Sequence, residues 1–173
     1  GLEQVRSIDL SGLHPGLEQA QITIMCDVAN PLLGPNGAAY VYGPQKGADR
    51  QALVRLEAGM SSYVRVVERA CGRALRDIPG TGAAGGLAVP LIAFAGAALR
   101  SGIETVLELL NFDALLDGAD LVVTGEGRLD FQSAQGKVLY GIGRACQKRG
   151  IPVCAIAGCF GEGMEEIYPC GID

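Results

Sequence analysis

Glu126, Arg128, Asp130 and Lys137 fall within one glycine-bearing stretch, Val122 to Lys137, which reads Val-Val-Thr-Gly-Glu-Gly-Arg-Leu-Asp-Phe-Gln-Ser-Ala-Gln-Gly-Lys. Two carboxylates at this spacing can hold a metal ion or take a proton. A guanidinium and an ammonium can pair with phosphate or carboxylate. Thr124 closes an apolar run, and Gly125 and Gly127 let backbone come close to an anion. Ser133 reads as the start of a helix, whose first-turn N–H groups suit a negative charge. The competing reading is a surface loop with a serine cap and solvated charges. On the residues alone both readings stand.

Such a stretch needs elements to hold it. Leu121 to Thr124 reads as a short strand that breaks at Gly125 into the loop carrying Glu126, Arg128 and Asp130. The helix that follows turns Val138, Leu139, Ile142 and Cys146 inward and ends on Lys148, Arg149 and Gly150. Pro152 to Ala157 is a second apolar strand. Strand, helix and strand make a βαβ unit, which is parallel and right-handed in nearly all cases. The second strand also runs into a glycine-bearing loop, Gly158-Cys159-Phe160-Gly161-Glu162-Gly163. Two parallel strands then present acidic, glycine-rich loops at one edge, where open α/β sheets place their ligands.

Upstream, Ile8 to Ser11 reads as a short strand and Gln21 to Val28 as a longer one. The latter leads into Asp27-Val28-Ala29-Asn30-Pro31-Leu32-Leu33-Gly34, where Asp27 and Asn30 are either binding groups or turn caps. Ala38 to Tyr42 reads as a strand closed by Gly43-Pro44-Gln45-Lys46-Gly47. From an Asp49 cap, Leu53, Leu56, Met60, Val64, Val67, Cys71 and Leu75 recur in steps of three and four, an amphipathic helix that Pro79-Gly80 ends. Gly80-Thr81-Gly82-Ala83-Ala84-Gly85-Gly86 has the G-x-G-x-x-G spacing. It follows a helix and a proline rather than a strand, which argues against a dinucleotide fingerprint. It remains a phosphate cradle or a device for close packing. Leu87 to Leu99, Glu104 to Leu110 and Asp113 to Leu116 read as helices. The expected domains are residues 1–117, of mixed strands and helices, and residues 118–173, of regular βαβ.

The chain has 173 residues, 49% hydrophobic and 19% charged, which describes a globular protein. A net charge of −5 with no run of Lys or Arg argues against nucleic acid and anionic membranes as partners. The six cysteines form no C-x-x-C pair, most sit in apolar runs, and free thiols in a reducing cytoplasm are expected. One histidine, His14, lies in a turn, so a zinc site is not expected. No basic region precedes an apolar core at the N-terminus, and the longest apolar run contains Pro90 and is too short to span a bilayer. The chain opens on Gly1 without Met and stops just after a strand-like segment, so a piece of something longer is expected.

Three segments taken in order are similar to one family: Cys26-Asp27-Val28-Ala29-Asn30-Pro31-Leu32 leading to Gly43-Pro44-Gln45-Lys46-Gly47-Ala48, then Gly80-Thr81-Gly82-Ala83-Ala84-Gly85-Gly86-Leu87, then Thr124-Gly125-Glu126-Gly127-Arg128-Leu129-Asp130 with Gln132-Ser133 and Gly136-Lys137. The sequence resembles the class I, bacterial-type glycerate kinases over nearly its whole length. The resemblance implies an α/β protein in which residues 1–117 belong to an inserted α/β domain and residues 118–173 to a flavodoxin-like parallel domain. The active site would lie in the cleft between them. The family's acidic Asp-Gly-Gly-Glu-Gly-Thr motif does not occur in this sequence, nor do its C-terminal helices, so the chain alone is expected to be inactive.

The implied activity is ATP- and Mg²⁺-dependent phosphorylation of D-glycerate, leaning toward the C2 hydroxyl. Asp130 is then the base or a Mg²⁺ ligand and Glu126 the second acidic group. Arg128 takes the glycerate carboxylate, and Lys46 balances phosphate charge beside Gln45. Gly82, Gly85 and Gly86, with Ser133 and Lys137, offer hydrogen bonds to nucleotide or substrate. Asp27, Asn30, Thr124, Gly125 and Gly127 complete the expected binding set. A homodimer is left open. The alternative is a metabolite-binding or regulatory module that binds without turnover.

Overall fold

The computed structural model describes every residue except Gln135, and of Gln132 the backbone alone; Gln135 of the central stretch thus lies outside the described residues. The chain forms two compact units, Gly1–Arg100 and Ser101–Asp173. Each carries one pair of parallel strands, so the α/β class is realised in both.

The first unit contains β1 (Thr23–Met25), α1 (Ala38–Tyr42), α2 (Arg50–Cys71), α3 (Ala88–Phe94) and β2 (Ala98–Arg100). Asp49 caps α2 as its type predicts, its side chain accepting the Ala52 N–H at 2.7 Å. The helix turns Met60, Val64 and Val67 into a core shared with Leu32, Leu75, Val89 and Ile92. It stops at Gly72, a left-handed residue with φ 71 whose N–H donates to the Glu68 carbonyl. The spacing carried the expected helix on to Leu75, but glycine there allows the chain to turn, and Leu75 reaches the core from the turn instead.

Three further expectations are corrected in this unit. Ala38–Tyr42 is a helix, not a strand: the Ala38 N–H donates to the Leu32 carbonyl, the Gly43 N–H to Ala39, and Ala38 and Ala39 are buried by close packing. Ile8–Ser11 is not a strand, because Asp9 bends the chain by accepting the Ser11 N–H at 2.9 Å. The run Leu87–Leu99 is a shorter helix followed by β2. Gly96, with φ 63, breaks it, and Leu91 O accepts from both Ala95 and Ala97. β2 then pairs with β1 in the register Thr23↔Ala98 to Met25↔Arg100. The read strand Gln21–Val28 narrows to the residues with that partner.

The second unit contains α4 (Gly102–Leu109), α5 (Phe112–Leu115), β3 (Val122–Leu129), α6 (Val138–Gln147) and β4 (Val153–Phe160). The β3–α6–β4 segment is the expected parallel unit, in register from Val122↔Val153 to Leu129↔Phe160. Leu129, Leu139, Cys146, Val153, Ile167 and Ile172 form its core. Leu116 and Phe112 join that core. Arg149 ties α5 to the end of α6 through Asp113 and Asp117, at 2.7 and 2.6 Å. All six cysteines are free; Cys146 and Cys170 are buried, whereas Cys154 and Cys159 on β4 are exposed, against the expectation from their apolar setting.

Candidate active-site loops

β3 and β4 both run further than their sequences suggest. β3 passes through Thr124, Gly125, Glu126, Gly127 and Arg128 before the chain turns at Asp130, and β4 passes through Gly158 and Cys159. The glycines are extended here, not turning. A Cβ on Gly125 would stand 2.9 Å from the Ile156 carbonyl oxygen, and one on Gly158 would stand 2.7 Å from that of Gly127. Glycine is thus needed for two backbones to lie this close. Burial alternates from Val122 to Gly127 and then slips, leaving Arg128 exposed and Leu129 buried at the strand end. The slip plants the turn on a core leucine while its neighbours face outward.

At that end the structure brings together Arg128 and Asp130, with the guanidinium Nε 3.3 Å from the Asp130 Oδ2. The Arg128 side chain is 65% exposed and that of Asp130 20%, so the pair lies at the surface with its charge available to a ligand. Gly161 seats the pair: a Cβ there would come within 3.0 Å of Arg128 and 2.9 Å of the Asp130 Cβ. The Gly161 N–H donates to Leu129 O at 2.7 Å and the Phe131 N–H to Glu162 O at 3.1 Å. The loops after the two strands are therefore joined at one edge, as the parallel arrangement requires.

Ser133 has a different place from the one expected. It is 1% exposed, its N–H donates to Asp130 O at 2.9 Å, and its hydroxyl accepts the Asp130 N–H at 3.3 Å. It closes the turn that presents Asp130 and opens no α-helix. A 3₁₀ turn spans Phe131–Ala134, and α6 begins only at Val138, with Lys137 as its cap residue and no side-chain cap bond. The helix start offered to an anion therefore moves from Ser133 to the residues after Lys137. One Glu126 carboxylate oxygen, Oε2, is buried without a hydrogen-bond partner. A buried carboxylate oxygen with no donor suits a cation better than it suits the apolar interior. Among the described residues no three His, Cys, Asp or Glu side chains gather into a ready cage. Mg²⁺ nonetheless uses only one or two carboxylates together with substrate phosphates.

The first unit holds a group of loops of its own. The Asn30 carbonyl accepts from both Gly80 and Gly82, at 3.1 and 2.9 Å. Its side chain donates to Asn36 O at 2.8 Å and accepts from the Tyr42 hydroxyl at 2.7 Å. Asn30 thus knits the Asn-Pro turn to the glycine-rich segment, and Tyr42, which the sequence offered only as a strand residue, is its partner. The glycines divide by role. Gly82 has no room for a Cβ against the Pro31 carbonyl, and one on Gly86 would stand 2.6 Å from Leu32, so both serve close packing. Gly85, with φ 70, faces open space beside Ala84, a non-glycine residue at φ 50. The exposed Ala84-Gly85 bend is the part of this segment placed to meet a ligand. Asp27, Gln45 and Lys46 are exposed, the last two on the 3₁₀ turn Pro44–Lys46 before a left-handed Gly47. His14 is a turn residue, its Nδ1 accepting the Gly16 N–H at 3.0 Å.

A profile described as the glycerate kinase family matches residues 1–173, the full chain. The chain belongs to that family. It is 45% identical over 172 residues to a glycerate kinase of Halalkalibacterium halodurans, covering 99% of this chain and 45% of that protein. Against the glycerate 2-kinase of Escherichia coli K12 the identity is 44%, with the same coverages. A crystal structure assigned to glycerate kinase 2 of Salmonella typhimurium LT2 superposes with a TM-score of 0.81 at 38% identity, covering 99% of this chain and 50% of that one. The chain thus spans about half the length of the glycerate kinases it matches. No helix among the described residues is long and apolar enough to cross a membrane.

Proposed function

We propose that the complete protein transfers the terminal phosphoryl group of ATP to a hydroxyl of D-glycerate, with Mg²⁺, giving 2-phosphoglycerate. The observation that carries this reading is the exposed Arg128–Asp130 pair at the joined ends of β3 and β4, in a chain of the glycerate kinase family. Phosphoryl transfer asks a protein mainly for positioned phosphates, cationic stabilisation and an aligned hydroxyl. The exposed Arg128 guanidinium binds the substrate carboxylate through two parallel N–H groups. Asp130, fixed by the Ser133 turn, takes the proton of the attacking hydroxyl, within hydrogen-bond reach of a substrate held by Arg128. With Asp130 as the base, Glu126 would hold the metal through its unpartnered buried oxygen, and the metal would supply charge neutralisation at the phosphates. Lys46 and the Ala84-Gly85 bend, with Gln45, Asp27 and Lys137, serve the nucleotide and the phosphate. C2 is favoured because the Escherichia coli relative is a glycerate 2-kinase.

In this reading the protein works in the cytoplasm, residues 1–117 and 118–173 belong to the inserted and flavodoxin-like domains, and the 173-residue chain alone does not turn over. Incubation of the complete protein and of this chain with Mg-ATP and D-glycerate, followed by phosphorus NMR, tests it. A phosphoglycerate signal from the complete protein alone, with the coupling of a secondary phosphate ester, is expected. Binding of ATP or glycerate without any product would replace the kinase by a binding module. Light scattering on the same sample decides between monomer and homodimer.

A further inference from the structure

Away from these loops, the C-terminal half of α2 and the turn after it border a concavity of about 640 Å³ whose charge is opposite to that of the chain. Arg6, Arg65, Arg69, Arg73 and Arg76 line it, five of the 14 Lys and Arg in a protein of net charge −5. Among the described residues Glu68 is the one carboxylate in the lining, and it is already committed. It accepts the N–H groups of Leu75 and Arg76, at 2.8 and 3.1 Å, and pairs with the Arg76 guanidinium. Among the described residues no carboxylate pairs with Arg6, Arg65, Arg69 or Arg73. Arg65 and Arg69 bond the carbonyls of Ser61 and of Arg65 itself, one turn back on α2, and Arg6 bonds the nearby Glu3 and Val5 carbonyls.

Four guanidiniums without counter-charge around one hollow repel one another. The negative end of the α2 dipole favours cations only within its last turn. It therefore accounts for Arg69, but not for Arg65 a turn earlier or Arg6 from outside the helix. Guanidiniums in such an array match planar oxyanions, two N–H groups to each phosphate or carboxylate. The hollow has the size of a small-molecule site. Outside the lining the chain carries 18 acidic residues against nine basic ones, which disfavours a long polyanion such as nucleic acid. We propose that this concavity binds a small polyanion carrying two or more phosphate or carboxylate groups, at a site none of whose residues belongs to the loops assigned to phosphoryl transfer.

Inorganic pyrophosphate is the probe, titrated calorimetrically into the complete protein and into an R65Q/R69Q/R73Q variant at low salt. The three residues are exposed and make no side-chain ion pair, whereas Arg76 is left in place because its pair with Glu68 holds the turn. Any heat from a nucleotide site persists in both proteins, so the readout is the component lost. The variant is expected to bind at least about tenfold more weakly in that component, and pyrophosphate is expected to raise the melting temperature of the wild type more than that of the variant. Equal binding by the two proteins overturns the proposal, as does tighter binding of a duplex oligonucleotide than of pyrophosphate. If the variant fails to fold, phenylglyoxal modification of the wild type gives the answer. Pyrophosphate should shield Arg65, Arg69 and Arg73 in peptide mapping, and unchanged labelling there would reject the site.

Discussion

Asp130 pairs with Arg128 at 3.3 Å and is only 20% exposed, so replacing it by Asn keeps the shape of the turn while removing the proton acceptor. In the complete protein D130N is expected to lower kcat by roughly 10²–10⁴-fold with an unchanged circular dichroism spectrum. Near-normal turnover would take Asp130 out of the mechanism. R128K should instead raise the KM for glycerate more than it lowers kcat, since an ammonium gives up the two-point contact. A third residue acts on stability. The Arg76 guanidinium beside Glu68 is the main reason its carboxyl titrates at about 2, below the usual carboxylate value. A folded pKa below the unfolded one means stability that is complete above about pH 4.5 and fades as pH falls toward 2. Since the Arg76 side chain is 37% exposed, screening limits the contribution to about 1–2 kcal/mol. Urea titrations of wild type and E68Q should differ by this amount near neutrality and converge as pH is lowered through that window. A constant gap down to pH 2 would assign the effect to packing.

At the scale of elements, the glycine-rich segment before α3 separates two kinds of constraint. G82A should destabilise the first unit by about 2–4 kcal/mol, because the new methyl strikes the Pro31 carbonyl and backbone has to move. G85A meets open space and pays only the left-handed strain of roughly 1–2 kcal/mol. Thermal melts of both variants check the order, and an equal loss would mean that Gly82 is not a packing glycine. The same distinction explains what the sequence makes legible. The β3–α6–β4 unit can be read because two apolar runs flank a helix with Leu139, Ile142 and Cys146 at helical spacing. So can α2, from its Asp49 cap and its inward stripe. The true ends of β3 and β4 cannot. Gly125 and Gly158 look like breaks, yet they are extended residues whose missing side chains let the strands approach. β2 is invisible because three residues in an alanine-rich run become a strand only by having β1 beside them. At the site, the sequence puts Arg128 and Asp130 two residues apart in one stretch, but their pairing is seen only in the structure. The seat that Gly161 provides and the buried turn made by Ser133 depend on chain from another strand and on the core beneath, which local pattern does not report.

For the molecule as a whole, the outer side of the β3–β4 pair is apolar and open, with Val123 59%, Ile156 66% and Phe160 67% exposed. Parallel sheets are ordinarily covered on both faces, and this chain spans about half of its relatives. The 173-residue chain is therefore expected to bind the dye ANS more strongly than the complete protein, and equal binding would mean that this face stays open. The β1–β2 pair has a consequence for synthesis. β1 lies near the beginning of the first unit and its partner β2 forms the end of it, with α1, α2 and α3 between them. On the ribosome, β1 has to wait for nearly all of its unit to emerge, while α2 can form from its own residues much earlier. β3 and β4 are separated by one turn and one helix and close over a far shorter span. Arrested chains ending before Ala98 should then expose the Ile24 amide to rapid hydrogen exchange, and chains carrying β2 clear of the tunnel should protect it.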